Sequence, residues 1–166
     1  GGGIPTGTFG MTTEIAADIT TKIDREVIDT GGIGGTLAGN ALSLAAMRAT
    51  LSEVLTETAF VKMIELGDRW SDGVAAVINE CNLPWHVNRL GARSEYMFLN
   101  RAPRTGAEAA NAGDFELEQY LHLRLLNDGF LLTPFHNMAL MSPYTTESDV
   151  DAHTEAFRKM CVELTS

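Results

Sequence analysis

Residues 34–51 read GGTLAGNALSLAAMRATL, with bare backbone and one hydroxyl directly ahead of an alanine- and leucine-rich run. Leu42, Ala45, Ala46, Ala49 and Leu51 recur near i, i+3, i+4, i+7 spacing, and Ala and Leu are strong helix formers. A helix is therefore predicted from about Gly39 to Leu55. Glycines let backbone N–H groups turn toward a ligand with no Cβ in the way. The start of a helix adds unpaired N–H donors and a partial positive charge. Thr36 adds a hydroxyl able to donate to a phosphate oxygen. Two readings stay open, a structural loop and an anion site. The stretch is not a P-loop, because the Lys-Ser/Thr pair is missing, and it is not the dinucleotide fingerprint.

Upstream, GGGIPTGTFG (residues 1–10) alternates small and apolar residues around Pro5 and reads as a strand or tight extended segment. An opening this rich in glycine, with no Met, reads as a piece of something longer. Thr12 or Thr13 before EIAADI marks a helix start with an acid in its first turn. Residues 20–40 lack a clear period and read as loop. Downstream, Thr56 or Thr58 opens a second helix, whose apolar face (Phe60, Ile64, Val74, Val77, Ile78) is interrupted by Gly67 and Gly73 and which stops before Pro84. WHVNRLGARSEYMFL (residues 85–99) is rich in strand formers, with Gly91 as the bend. Residues 100–113 read as loop. Asp114 caps a helix that Gly129 ends. FLLTPF and NMALMSP read as two short strands, and Thr146 with Asp149 gives the spacing of a capping box before the last helix. The sum is a small α/β layer entered by a long helix.

The 166 residues are 45% hydrophobic, enough to bury a core, and carry a net charge of −10. That charge argues against a nucleic-acid partner, which needs a basic face. Cys81 and Cys161 have neither metal spacing nor a disulfide framework and suit a reducing, cytoplasmic setting. No apolar run approaches the ~20 residues of a membrane span, no signal peptide is visible, and no His pair has metal-ligand spacing.

Period 2 puts Arg93 and Glu95 on one strand face and Ser94 and Tyr96 on the other. Arg93 can grip a carboxylate in a bidentate fork, or sit in an edge-strand charge pair facing water. His136 and Asn137, between two apolar pieces, line a pocket mouth or occupy a turn. His122 and His153 fall on helices and read as surface residues.

The paired motifs carry a resemblance. GGGIPTGTFGMTTEI, followed some twenty residues later by GGTLAGNALSLAAMRATL, resembles the second half of a class III pyridoxal-phosphate aminotransferase. Within that class it is most similar to the branch containing glutamate-1-semialdehyde aminomutase. Gly1 to Gly3, Pro5, Gly7, Phe9 and Gly10 match the first family motif. Gly35, Thr36, Gly39, Asn40, Ala45 and Ala46 match the second, with Ala41 where the family often has Pro. The tail from Leu125 to Phe157 resembles the closing strands and helix of the branch.

The resemblance implies an α/β chain from the C-terminal part of a fold type I PLP-dependent transferase. Residues 1–38 would end the large domain, 39–56 form the connecting helix and 57–166 the small α/β domain. It implies pyridoxal 5'-phosphate as cofactor, with Gly35 and Thr36 contacting the phosphate of the neighbouring subunit in a homodimer. It places the cofactor-bearing lysine three residues before Gly1, so no catalytic residue is expected among Lys22, Lys62 and Lys159, and the chain alone is expected to be inactive. Arg93 replaces an uncharged residue of the branch, and Phe135-His136-Asn137-Met138 replaces its Ser-x-Phe-Glu. Arg93, His136 and Asn137 are therefore the candidate substrate contacts. The implied reaction moves an amino group between an amine or amino acid and a keto acid. The alternatives are the intramolecular aminomutase and a non-catalytic dimerising fragment. No metal, nucleic acid or membrane is implied.

Overall fold

The computed structural model describes residues 3–22, 35, 37–133 and 136–166. The chain divides into two units, Gly1–Thr56 and Glu57–Ser166.

In the first unit, residues 5–12 are irregular rather than a strand. Helix α1 spans Thr13–Thr20, and the Thr12 side chain caps it by accepting from Ile15 N–H at 3.3 Å. Helix α2 spans Ala41–Ala49. Asn40 caps it, its side-chain oxygen accepting from Ser43 N–H at 3.0 Å, after a turn in which Gly39 takes φ +67°. The helix then loosens into a π-turn over Thr50–Val54, closed by Leu55 N–H on Thr50 C=O at 2.9 Å. Only Ser43 of α2 is buried, and Leu42, Leu44 and Leu51 are exposed.

The second unit is built on helix α3, Glu57–Glu80. Strands β1 (His86–Leu90) and β2 (Arg93–Met97) form a hairpin across the two-residue turn Gly91-Ala92, with Leu90 opposite Arg93 and His86 opposite Met97. Gly91 sits at φ +58°, a left-handed conformation that favours glycine. A short helix α4 (Gly106–Asn111) interrupts the stretch read as loop. Helix α5 covers Phe115–Asn127, capped by Asp114. Strand β3 (Met138–Leu140) pairs antiparallel with β2, giving the order β1-β2-β3. Residues 130–133, the start of the other expected strand, are not in a ladder. Helix α6 (Glu147–Thr165) starts at the expected capping box of Thr146 and Asp149.

Helices α3 and α6 cover one face of the sheet. Ser94 and Tyr96 of β2 and Ala139 of β3 point into that layer and are buried. There Tyr96 packs between Trp85 (5.7 Å between ring centroids) and Phe157 (5.0 Å). Leu121 and Leu125 of α5 join the same core, where α5 packs against α6.

Gly67 does not interrupt α3. It is where the hairpin comes closest, since a Cβ there would lie 2.8 Å from Gly91 O and 3.3 Å from Ala92 Cα. The same contact is tied by hydroxyls: Ser71 donates to Ser94 (2.7 Å), and Ser94 donates to Gly67 C=O (3.3 Å). Gly67→Ala is expected to destabilise the chain by about 1–2 kcal/mol. Alanine is the better helix former by about 1 kcal/mol, but the clash is with backbone that cannot swing away. Thermal unfolding checks this, and an unchanged or raised midpoint would refute it.

Candidate functional site

Because α3 and α6 occupy one face of the sheet, the other face is open. Cross-strand register places Leu90, Asn88 and His86 of β1, Arg93, Glu95 and Met97 of β2, and Leu140 and Met138 of β3 on it. The edge-strand reading of Arg93 and Glu95 is therefore corrected. They lie on the central strand, paired on both sides, because β3 returns beside β2 from forty residues further along the chain.

Glu95 is the hub of this face. Its Oε2 lies 3.2 Å from Arg93 Nη2 and its Oε1 lies 3.1 Å from His136 Nδ1. The Glu95 side chain is 12% exposed, whereas Arg93 and His136 are about half exposed. A carboxylate this far from water is kept company by partners that point donors at it. The Arg93 Nε also faces the Met138 sulfur. Residues 136 and 137 are held against the strand by the backbone: Tyr96 N–H donates to Asn137 C=O at 3.2 Å, and His136 N–H donates to Thr133 C=O at 3.2 Å.

These groups form the floor of a cleft of about 540 Å³ whose other wall is the small-residue segment Ala109, Ala110, Ala112 and Gly113. Arg93, His136 and Asn137 thus converge on one cleft, as substrate contacts would have to. Glu95 was missed as a site member. Its signal was present in the sequence, since it lies two residues from Arg93 on the same strand face. The arrangement offers one exposed cation beside a bound carboxylate, and a neutral or cationic imidazole on the same carboxylate. It can recognise an anion that competes with Glu95 for Arg93.

Gly35 lies in the other unit, exposed, its carbonyl accepting from Ala38 N–H at 2.9 Å. A Cβ there would meet nothing within 4 Å, so an anion can approach this backbone without steric contest. Thr36 lies outside the described residues, as do Gly1, Gly2, Phe135 and the glycines at 31, 32 and 34.

The surface reading of His153 is overturned. It is 4% exposed, and neither ring nitrogen has a hydrogen-bond partner among the described residues. Burial pulls its pKa down to about 4. Burial likewise pushes the Cys161 thiol up to about 12, which leaves it inert as a nucleophile. Among the described residues, no group of three His, Cys, Asp or Glu could hold a metal ion. No helix among them is long and apolar enough to cross a membrane.

No protein-family model matches the chain. The chain is 35% identical, over its whole length, to glutamate-1-semialdehyde 2,1-aminomutase 1 of Staphylococcus carnosus (strain TM300), of which it spans 37%. The crystal structure of a glutamate-1-semialdehyde aminomutase from Pseudomonas aeruginosa PAO1, in complex with PMP, superposes with a TM-score of 0.77 and 53% identity. That match covers 81% of this chain and 30% of the other. A β-phenylalanine aminotransferase from Variovorax paradoxus shares the fold, with a TM-score of 0.70 at 23% identity over 80% of this chain and 30% of its own. The chain therefore spans about a third of the length of the proteins it matches.

Proposed function

We propose, for a chain whose homologues are glutamate-1-semialdehyde 2,1-aminomutases and whose structural neighbours are PLP-dependent aminotransferases, that it is the C-terminal part of a PLP-dependent transaminase. In this reading residues 1–38 end the large domain, 39–56 connect, and 57–166 form the small domain. The enzyme is a homodimer acting on an amine or amino acid and a keto acid.

The observation that carries the reading is the convergence of Arg93, Glu95, His136 and Asn137 on the open face of the sheet. Arg93 would hold a substrate carboxylate. Glu95 keeps the guanidinium in place until the substrate arrives, and His136 takes up the Glu95 oxygen that Arg93 does not use. Asn137, fixed by Tyr96 N–H, lines the wall.

Gly35 and Thr36 would hold the cofactor phosphate across the dimer interface. Support comes from the exposed, uncrowded backbone of Gly35 ahead of the α2 N-terminus, because helix N-termini and free amides suit a phosphate dianion. Pyridoxal 5'-phosphate bound there supplies an electron sink conjugated to the substrate's amine carbon. The cofactor-bearing role is assigned to no lysine of this chain. Lys22 pairs with Asp18 at 2.7 Å, Lys62 donates to Pro143 C=O at 3.1 Å, and neither they nor the exposed Lys159 line the cleft.

Arg93→Ala in the full-length holoenzyme is expected to raise KM roughly tenfold or more for substrates with a carboxylate, the size of a lost charged hydrogen bond. KM for a simple amine should stay nearly unchanged. Equal loss on both would remove Arg93 from substrate binding. The identity to aminomutases supports a second reading, intramolecular amino transfer. Product analysis separates the two, because a mutase returns an isomer with no added acceptor.

A further inference from the structure

The Glu57–Ser166 unit contains a second cavity that the reading above does not use. It lies at the β3 edge of the sheet, between α3, α6 and the stretch Phe130–Thr133, and is a groove of about 510 Å³ that opens to the surface at Leu131 and Leu140. Its walls are nearly all apolar, with Trp70, Phe130, Leu132, Met141 and Val150 prominent. The few polar groups on it are mostly engaged. Thr145 Oγ1 accepts from Ser142 N–H at 3.0 Å, and the Asp149 carboxylate is taken by Thr146.

His153 stands apart because its unmet polar atoms are buried. It lines the cavity, is almost fully buried, and leaves both ring nitrogens without a partner among the described residues. Its ring is held by aromatic faces, with Trp70 at 5.4 Å, the edge of Phe130 at 5.5 Å and Phe157 stacked at 6.2 Å. A neutral imidazole has one donor and one acceptor, and leaving both unmet in an apolar setting is unfavourable. Orphaned buried groups of this kind ask for an explanation, and a bound molecule is one. A turn of the ring toward the cavity breaks no hydrogen bond, because neither nitrogen makes one.

We propose that this cavity binds a small neutral aromatic molecule carrying one hydroxyl or ring N–H, the phenol and indole class. Its ring lies against Trp70 and Phe130, and its polar hydrogen is donated to His153. The volume falls within the range of small-molecule sites, and so does the pattern of an apolar lining with very few polar groups. Charged ligands are disfavoured by the apolar walls, and anions also by Asp149.

The test compares phenol with toluene, which has the same shape without the hydroxyl, by calorimetric titration of the full-length protein at pH 7.5. A purely apolar cavity prefers toluene, since phenol is the better hydrated of the two. The expected result is one saturable site with phenol bound about tenfold tighter, a difference worth one charge-free hydrogen bond. In ¹⁵N-histidine-labelled protein, the His153 ring nitrogens should shift on saturation with phenol. In His153→Phe the phenol advantage should disappear while toluene still binds. No saturable phenol binding, a preference for toluene, or an unmoved His153 resonance would each overturn the proposal. So would an advantage that survives in His153→Phe. If that variant does not fold, the wild-type affinity ratio and the wild-type resonance decide alone.

Discussion

Phe157→Ala is expected to cost the Glu57–Ser166 unit about 3–5 kcal/mol, the range for a fully buried aromatic side chain cut back to alanine. Phe157 is completely buried. It touches the ring of Tyr96 at 5.0 Å and Trp85 at 6.4 Å, and it stacks on His153. It therefore fastens α6 to β2 and to the residues leading into β1. Truncation removes that area and leaves a void that three rigid rings cannot collapse into. Domains have only about 5–15 kcal/mol in total, so the variant should stand near its unfolding midpoint in little denaturant. Urea unfolding followed by near-UV dichroism measures it, with Phe157→Leu as the milder companion. A loss below about 1 kcal/mol for the alanine variant would mean that the aromatic cluster does not organise this core.

Acid should weaken the fold through His153. Its ordinary pKa is 6.5, and burial lowers it to about 4. Above pH 6.5 the ring is neutral in both folded and unfolded chains and contributes nothing. As pH falls from 6.5 to 4, the unfolded chain takes up a proton that the folded chain refuses, so stability declines. The shift corresponds to about 3 kcal/mol once pH is below both values. Of the groups near His153, Asp149 is held below the usual carboxylate range by Thr146, so it begins to titrate only at the acid end of this window. Glu163, Asp151 and Glu108, held low by Arg124, Arg69 and Arg101, also act at that end. Stability against pH should therefore fall more steeply between 6.5 and 4.5 in the native chain than in His153→Leu. The same slope in both would show that another group is responsible.

Helix starts are encoded locally in this sequence. Thr12, Asp114 and the Thr146/Asp149 box start helices where expected, because capping is a matter of three adjacent residues. The Gly91 bend became the hairpin turn for the same reason. Two misses had local signals that went unread. Thr105 with Glu108 has the spacing that starts α4, and the Thr105 hydroxyl does accept from Glu108 N–H at 3.2 Å. His153 follows Val150 by three residues and precedes Phe157 by four, which puts it on the buried stripe of α6 whatever its polarity. The other misses were not local. That β2 is central depends on β3 arriving from far along the chain. Phe130–Thr133 is apolar because it walls a cavity rather than because it pairs. The sequence points to Arg93, His136 and Asn137 one by one; that Arg93 and His136 share the Glu95 carboxylate, with Asn137 lining the same cleft, needed the third dimension.

The π-turn after α2 carries a lesson in counting. Residues 50–54 close a ring one residue wider than their neighbours do, so the chain there behaves as an ordinary helix into which a single amino acid has been slipped. Leu55 then leaves the helical conformation, with φ −90° and ψ 62°, so the wide ring is the last turn of the spiral and closes it with the Thr50 carbonyl satisfied. Shortening residues 50–54 by one position should thus be absorbed by the spare residue, whereas the same deletion within Ala41–Ala49 would turn the rest of that helix by about 100° about its own axis.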